Sequence, residues 1–374
     1  MNNPLHIELL SKLVSFKSVT PDGADAISYC FDFLQKLGFS CQELKFGNVT
    51  NLYAKFGDFE KNLCFAGHVD VVPAFGRWDT PPFVLTEKNN LLYGRGTNDM
   101  KGPLSACFAA IHDFITLSPT YFSLSVILTS DEEIMEGNGT KKVIDFLKSK
   151  GEKISACIVC ESCSPRNAGE YIKIGCRGSL NVDLISIGPQ CHVINGKTYG
   201  NHLHGFVEFL SYLSKIQLDE GGGDFPASDF ELTSIDVGNN VRNIIPEKAI
   251  AKLNIRFNDL WNFEKLEKLI SRKLPNNVNA SFERFGCPFI GSKEKFIEFL
   301  SKSITKSIGI SPKIGTLGGS SDALFIKELT NVVEIGSSIS NAHISNEFIS
   351  KDDMLKLRKI YFSIMNDFEE WNEM

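Results

Sequence analysis

Residues 63–66, 124–129 and 154–160 are apolar almost without interruption. A strand with one wet face alternates, whereas a near-continuous apolar run marks a strand covered on both faces, as in a sheet packed between helices. Helical patterns fill the intervals, at about 103–117 and 141–150. Ahead of them Ile27, Phe31 and Leu34 follow a helical spacing, with Gly38 where a helix would end. With a further strand at 51–56, the first 177 residues predict an α/β/α sandwich around a largely parallel or mixed sheet.

The texture changes from about residue 178. Strand patterns at 180–187, 230–237, 249–257 and 280–285 enclose helical ones at 201–216 and 262–273. That β-α-β-β-α-β order is the ferredoxin-like α+β signature. After about residue 291 the α/β texture returns, with a helix to Ser307, the Gly-rich stretch 315–325, a strand at 332–335 and a last helix from Asp352. The expectation is a discontinuous catalytic domain, 1–177 and 291–374, interrupted by an inserted domain, 178–290.

Charge narrows the function. Lys and Arg number 39 against 45 Asp and Glu, a net charge of −6 that argues against nucleic acid or an anionic membrane as partner. No apolar run approaches the roughly 18 residues that span a bilayer. The start of the chain carries Leu5, Leu9, Leu13 and Phe16 at helical spacing and no secretory signal, so the cytoplasm is the expected compartment. Cys157, Cys160 and Cys163 are spaced C-x2-C-x2-C, which reads either as metal or redox chemistry or as small buried hydrophobes beside a strand. No second pair follows at zinc-ribbon spacing, which favours burial.

In open α/β sheets, ligands bind beyond the carboxyl ends of the strands. After 63–66 come His68 and Asp70; after 124–129 come Asp131, Glu132 and Glu133; after 154–160 comes Glu161; after 332–335 a short loop reaches His343. Asp99 adds a carboxylate from the glycine-punctuated loop 94–102. Imidazoles and carboxylates without a thiolate suit zinc, cobalt or manganese. Two ions that share one carboxylate need about five side chains, and His68, Asp99, Glu133, Glu161 and His343 make that set. Asp70, two residues after His68, is placed to accept the second N–H of that imidazole. Glu132, adjacent to Glu133, is the candidate general base. His6 and His112 read as surface or helix residues, and His202 and His204 open a helix without a settled role.

The motifs His68-Val-Asp70-Val-Val-Pro73, Gly94 to Gly102, Ser130 to Glu133, Glu161 and His343 to Glu347 resemble those of the co-catalytic zinc peptidase and deacylase family M20, and the resemblance covers essentially the whole chain. It implies two zinc ions, with cobalt as a possible substitute, bridged by Asp99. His68 and Glu161 would hold one ion, and Glu133 and His343 the other. Glu132 would be the base, Asp70 would orient His68, and His192 would help stabilise the oxyanion, usually across a dimer interface. A cis peptide typically follows the bridging aspartate, and the inserted domain mediates homodimerisation. Arg177, Asn243, Arg256 and the loop residues Gly318, Gly319 and Ser320 fit the members that act on dicarboxylate amides. Leu324 stands where those members usually have an arginine, and Lys197, His202 and Arg242 also depart from their pattern. The alternatives are another deacylase or carboxypeptidase of the family, or a non-catalytic binding module. A nucleotide-dependent oxidoreductase fails because Gly94 and Gly96 lack the third glycine of the dinucleotide fingerprint, position 99 being aspartate.

Overall fold

The computed structural model describes residues 3–134 and 137–371. The apolar runs pair as the centre of an eight-stranded mixed sheet, in the order Ser40–Phe46, Val49–Phe56, Ser123–Thr129, Asn62–His68, Ala156–Val159, Asn331–Glu334, Tyr171–Lys173, Lys313–Gly315. Four neighbours, Ser123–Thr129, Asn62–His68, Ala156–Val159 and Asn331–Glu334, run parallel, so their carboxyl ends open on the same edge. Every residue of Asn62–His68 and Ser123–Thr129 is buried, as runs covered on both faces require. Helices Leu5–Ser15, Lys101–Leu117, Glu294–Ile308 and Lys351–Phe368 supply apolar faces to one continuous core with these strands.

Contacts between residues divide the chain into two compact units, 1–175 with 290–374, and 176–289. The second has its own core, built from Leu180, Val182, Leu184, Leu253, Ile255 and Leu266 among others. Its four-stranded sheet runs Asp229–Asp236, Lys248–Phe257, Gly178–Ile187, Val278–Gly286, antiparallel throughout. In chain order that is 2-3-1-4, the ferredoxin-like arrangement.

The strands at Ser40–Phe46, Tyr171–Lys173 and Lys313–Gly315 do not follow from the apolar pattern. The first is a sheet edge whose seven residues bury only Leu44, and the other two are three residues long. Cys157 lies within Ala156–Val159, and Cys157, Cys160 and Cys163 are all fully buried free thiols. Among the described residues no metal-ligating group includes them. Burial pushes the Cys163 thiol up to about 12, which keeps it unreactive.

A candidate two-metal centre at the strand ends

Two groups of possible metal ligands meet at the open edge of the large sheet: His68, Asp99 and Glu161, and Asp99, Glu133 and His343. Asp99 belongs to both, and its oxygens divide between them. Oδ1 lies 3.3 Å from His68 Nε2, and Oδ2 lies 3.4 Å from His343 Nε2. His68 Nε2 is also 3.5 Å from Glu161 Oε2, and His343 Nε2 is 3.0 Å from Glu133 Oε2. Two ligands each about 2.0–2.1 Å from one tetrahedral ion stand roughly 3.4 Å apart, so these separations fit a transition-metal pair. A second observation agrees. His68 Nε2, Asp99 Oδ1, Glu133 Oε1 and Glu161 Oε2 are buried polar atoms with no hydrogen-bond partner. Orphans of this kind cost free energy unless something ligates them.

Each ligand is held from behind. Glu161 Oε1 accepts from the N–H of Ser162 at 2.9 Å, which leaves Oε2 for the centre. The His68 Nδ1–H lies 3.0 Å from the carbonyl oxygen of Asp70 and 3.5 Å from its carboxylate. The orienting acceptor is therefore chiefly the backbone of Asp70, not the side chain expected from the spacing. That carboxylate instead accepts from the N–H groups of Glu132 and Glu133, at 3.4 and 3.1 Å, and so fixes the turn that carries both glutamates. The Asp99–Met100 peptide is cis, and Met100 packs beneath the strand that delivers His68, its sulfur 3.3 Å from the His68 N–H. Lys101 is directed away from the centre: its ammonium caps the first helix on the carbonyls of Leu13 and Phe16.

The electrostatics are those of carboxylates crowded around two imidazoles. Burial opposes a charged His68, but Asp70, Asp99 and Glu161 outweigh it and hold the imidazolium well above the usual range. Asp99 and Glu133 carry His343 up to about 10. Burial alone would raise Asp99, yet the two imidazoles hold it well below the usual carboxylate range. Burial and then the charge of Asp99 push Glu161 up to about 8. Burial raises Glu132 well above its ordinary value; His68 opposes this while Glu161, Asp322 and Glu133 add to it. A divalent cation would replace these shared protons, so metal binding here releases protons.

A cavity of about 330 Å³ opens on the centre, lined by Asp99, Glu132, Glu133, Glu161 and His343 and by Gly318, Gly319 and Ser320 from the Gly-rich loop. The N–H groups of Gly318 and Gly319 have no partner among the described residues and are available to an anion. A residue the sequence did not single out holds this loop: Lys173, 2% exposed, donates to Gly319 O at 2.6 Å and to Glu334 Oε2 at 2.8 Å. Ser321 Oγ closes the network on Glu334 Oε1 at 2.7 Å. The available signal was a lysine inside Tyr171-Ile-Lys-Ile174 and a glutamate inside Val332-Val-Glu-Ile335, charges in apolar runs that must find each other. Leu324 is buried in the short helix Ala323–Ile326.

The remaining expected site residues lie in the 176–289 unit. His192 is exposed, pairs in register with Ile244, and stands 3.5 Å from the Asn243 amide. Arg177 donates to Ala227 O and to Asp229 Oδ2, at 2.6 and 2.8 Å. Arg256 Nε donates to Asn254 Oδ1 at 2.9 Å. Lys197 and Arg242 are exposed, whereas His202 is a buried lock between Ser186 Oγ at 2.7 Å and Pro246 O at 2.8 Å.

The family model "Peptidase family M20/M25/M40" matches residues 64–367, and the chain belongs to that family. It is 40% identical over 369 residues to a succinyl-diaminopimelate desuccinylase of Wolbachia pipientis, covering 97% of this chain and 93% of the relative. It is 37% identical over 374 residues to the enzyme of that name from Orientia tsutsugamushi (strain Boryong), covering 98% and 96%. The crystal structure of an M20 family metallo-carboxypeptidase from Sulfolobus solfataricus superposes with a TM-score of 0.81 at 19% identity, over 98% of this chain and 99% of that one, a likeness of fold.

Proposed function

We propose that this chain is a two-metal amide hydrolase that cleaves N-succinyl-LL-2,6-diaminopimelate into succinate and LL-2,6-diaminopimelate. The observation that carries the hydrolase reading is the shared carboxylate: Asp99 faces one imidazole with each oxygen, at the mouth of a cavity that also holds Glu132. The substrate reading rests on relatives of that name at 37–40% identity along nearly their whole length. His68, Asp99 and Glu161 would hold one zinc ion, and Asp99, Glu133 and His343 the other, with cobalt a competent substitute. When bound, the pair supplies Lewis acidity that polarises the amide carbonyl and acidifies a water.

The chain's own groups do the rest. Glu132, its Oε2 3.8 Å from His68 Nε2, takes a proton from the attacking water as the C–O bond forms. It returns that proton to the nitrogen as the C–N bond breaks, which releases the amine and the succinate carboxylate. The free N–H groups of Gly318 and Gly319 bind an anionic end of the substrate, and the Lys173–Glu334 pair keeps their loop in place. The family resemblance further assigns substrate binding to Arg177, Asn243 and Arg256, and an oxyanion contact to His192 of a second copy of the chain. The homodimer forms through the inserted unit, whose outer strand Asp229–Asp236 has a neighbour on one side only and exposes Ile235. The cytoplasm, where thiols stay reduced, is the proposed compartment, and the cysteines form no disulfide among the described residues.

Metal analysis joined to a substrate panel tests the reading. We expect about two equivalents of zinc or cobalt and the highest kcat/KM on the succinyl substrate. A higher kcat/KM on acetylornithine or a dipeptide would move the assignment to another member of the family. Glu132→Gln is expected to keep both ions and lose about 10²–10⁴ in kcat. Unchanged turnover would remove Glu132 from the chemistry.

A further inference from the structure

Asp99 is common to both ligand groups, and the loop that carries it is anchored in two directions. At Asn98 the anchors run both to Ser162, beside Glu161, and to Ser337 and Ser338, on the segment that leads to His343. Its side-chain amide donates to Ser338 O at 2.6 Å and to Ser162 Oγ at 3.4 Å, and its backbone carbonyl accepts from Ser162 Oγ at 2.9 Å and Ser337 Oγ at 2.8 Å. Toward His343 the anchor is Glu347, four residues further along the same loop and 1% exposed. Its carboxylate accepts from the N–H groups of Gly96, Asn98 and Asp99, at 2.9, 2.8 and 3.0 Å, and from Arg95 Nη1 at 2.7 Å.

The two sides differ in what else supports them. His68 closes a buried central strand, and Glu161 follows the strand paired beside it. No strand or helix carries His343, which is 51% exposed and has a left-handed φ of 63°. The distance between Asp99 and His343 therefore depends on what ties their loops together. Glu347 does so directly, since Gly94 N–H also donates to its backbone carbonyl at 3.0 Å.

We propose that Glu347 is the positioning residue for the outer ion, the one held by Asp99, Glu133 and His343, as distinct from the inner ion at His68, Asp99 and Glu161. This rests on the two-metal reading above. Partners one step behind a metal ligand commonly govern affinity by about 10–100-fold. In Glu347→Gln an amide N–H₂ would face donors in place of one oxygen, breaking two of the four contacts while keeping the side chain's volume.

The test titrates the full chain, stripped by chelator, with Co²⁺, following visible absorption and heat. The wild type should bind two equivalents. Glu347→Gln is expected to weaken one equivalent by about 10–100-fold and to affect the other, which shares only Asp99 with it, far less. Glu347→Asp keeps the charge opposite Arg95, guards against a variant that fails to fold, and should weaken the same equivalent. A merely structural role would lower the Tm of the stripped protein and weaken both equivalents alike; that result, or no change in either equivalent, overturns the proposal. A wild type that binds no Co²⁺ would instead overturn the two-metal reading beneath it.

Discussion

Single side chains at this centre are legible where position and chemistry coincide. His68 ends a buried strand, Glu133 and Glu161 come just after one, and the loop beyond another reaches His343; a polar group at such a place is where a ligand would need it. Side chains that work through a partner distant in sequence are not legible: Lys173 finds Glu334, and Arg95 finds Glu347, only after folding. Asp70 lies between these cases, since the spacing placed it beside His68 but not its carboxylate on the N–H groups of Glu132 and Glu133. His6 belongs to the second kind. It lies in the first helix, yet it is buried, and its Nδ1 accepts from Arg358 Nη1 at 3.1 Å. Burial first, then Arg358 and more weakly Lys351, against the opposing Asp113, bring it down to about 4. The folded chain thus binds fewer protons than the unfolded chain between the ordinary value of 6.5 and about 4. Its contribution is complete above that window and is lost as the pH falls through it. Urea unfolding of wild type and His6→Gln should show the wild type losing about 1–3 kcal/mol relative to the variant between pH 7 and pH 4. A difference that stays constant with pH would remove His6 as the cause.

Among elements, the strands that build the centre were the clearest in the chain because burial on both faces leaves little room for polar residues. The strands that escaped reading were an exposed edge and two three-residue segments, too wet or too short for a pattern to form. Close packing of elements leaves a subtler mark in the glycines. At Gly336, just beyond the strand Asn331–Glu334, a Cβ would collide with the carbonyl group of Glu161, so the two segments approach as closely as they do only because no side chain intervenes. Gly336→Ala must displace the backbone that delivers Glu161, and with it the carboxylate facing His68. The expected outcome is a loss of about 1–3 kcal/mol of stability in the metal-free protein, together with weaker binding of the inner ion. Thermal unfolding paired with a Co²⁺ titration checks both. A variant with wild-type affinity for the inner ion would mean that the strand exit yields and Glu161 stays in place.

At the scale of the whole molecule, the change of texture near residue 178 marks a unit with its own sheet, helices and core, and the βαββαβ order fixed its class. What the pattern could not supply is which exposed apolar groups remain uncovered, because an alternating strand looks alike at a sheet's edge and within it. In the outer strand Asp229–Asp236, Ile235 is 57% exposed and Leu232 is 37% exposed, and on the helix His202–Leu213 Val207 is 62% exposed. A homodimer through this face would bury each group twice, once per copy. Covering an isoleucine side chain is worth about 1.5–3 kcal/mol, so a charge at position 235 should cost about 3–6 kcal/mol of association, or roughly 10²–10⁴ in dimer Kd. On the proposed homodimer, sedimentation of Ile235→Asp is therefore expected to show a monomer at concentrations where the wild type stays associated. Both metal equivalents should survive, since their ligands all lie in the other unit. If His192 acts across the interface, the monomer loses turnover while it keeps its metals. Dissociation with unchanged kcat would place the oxyanion donor within one chain, and a variant that stays dimeric would move the interface elsewhere.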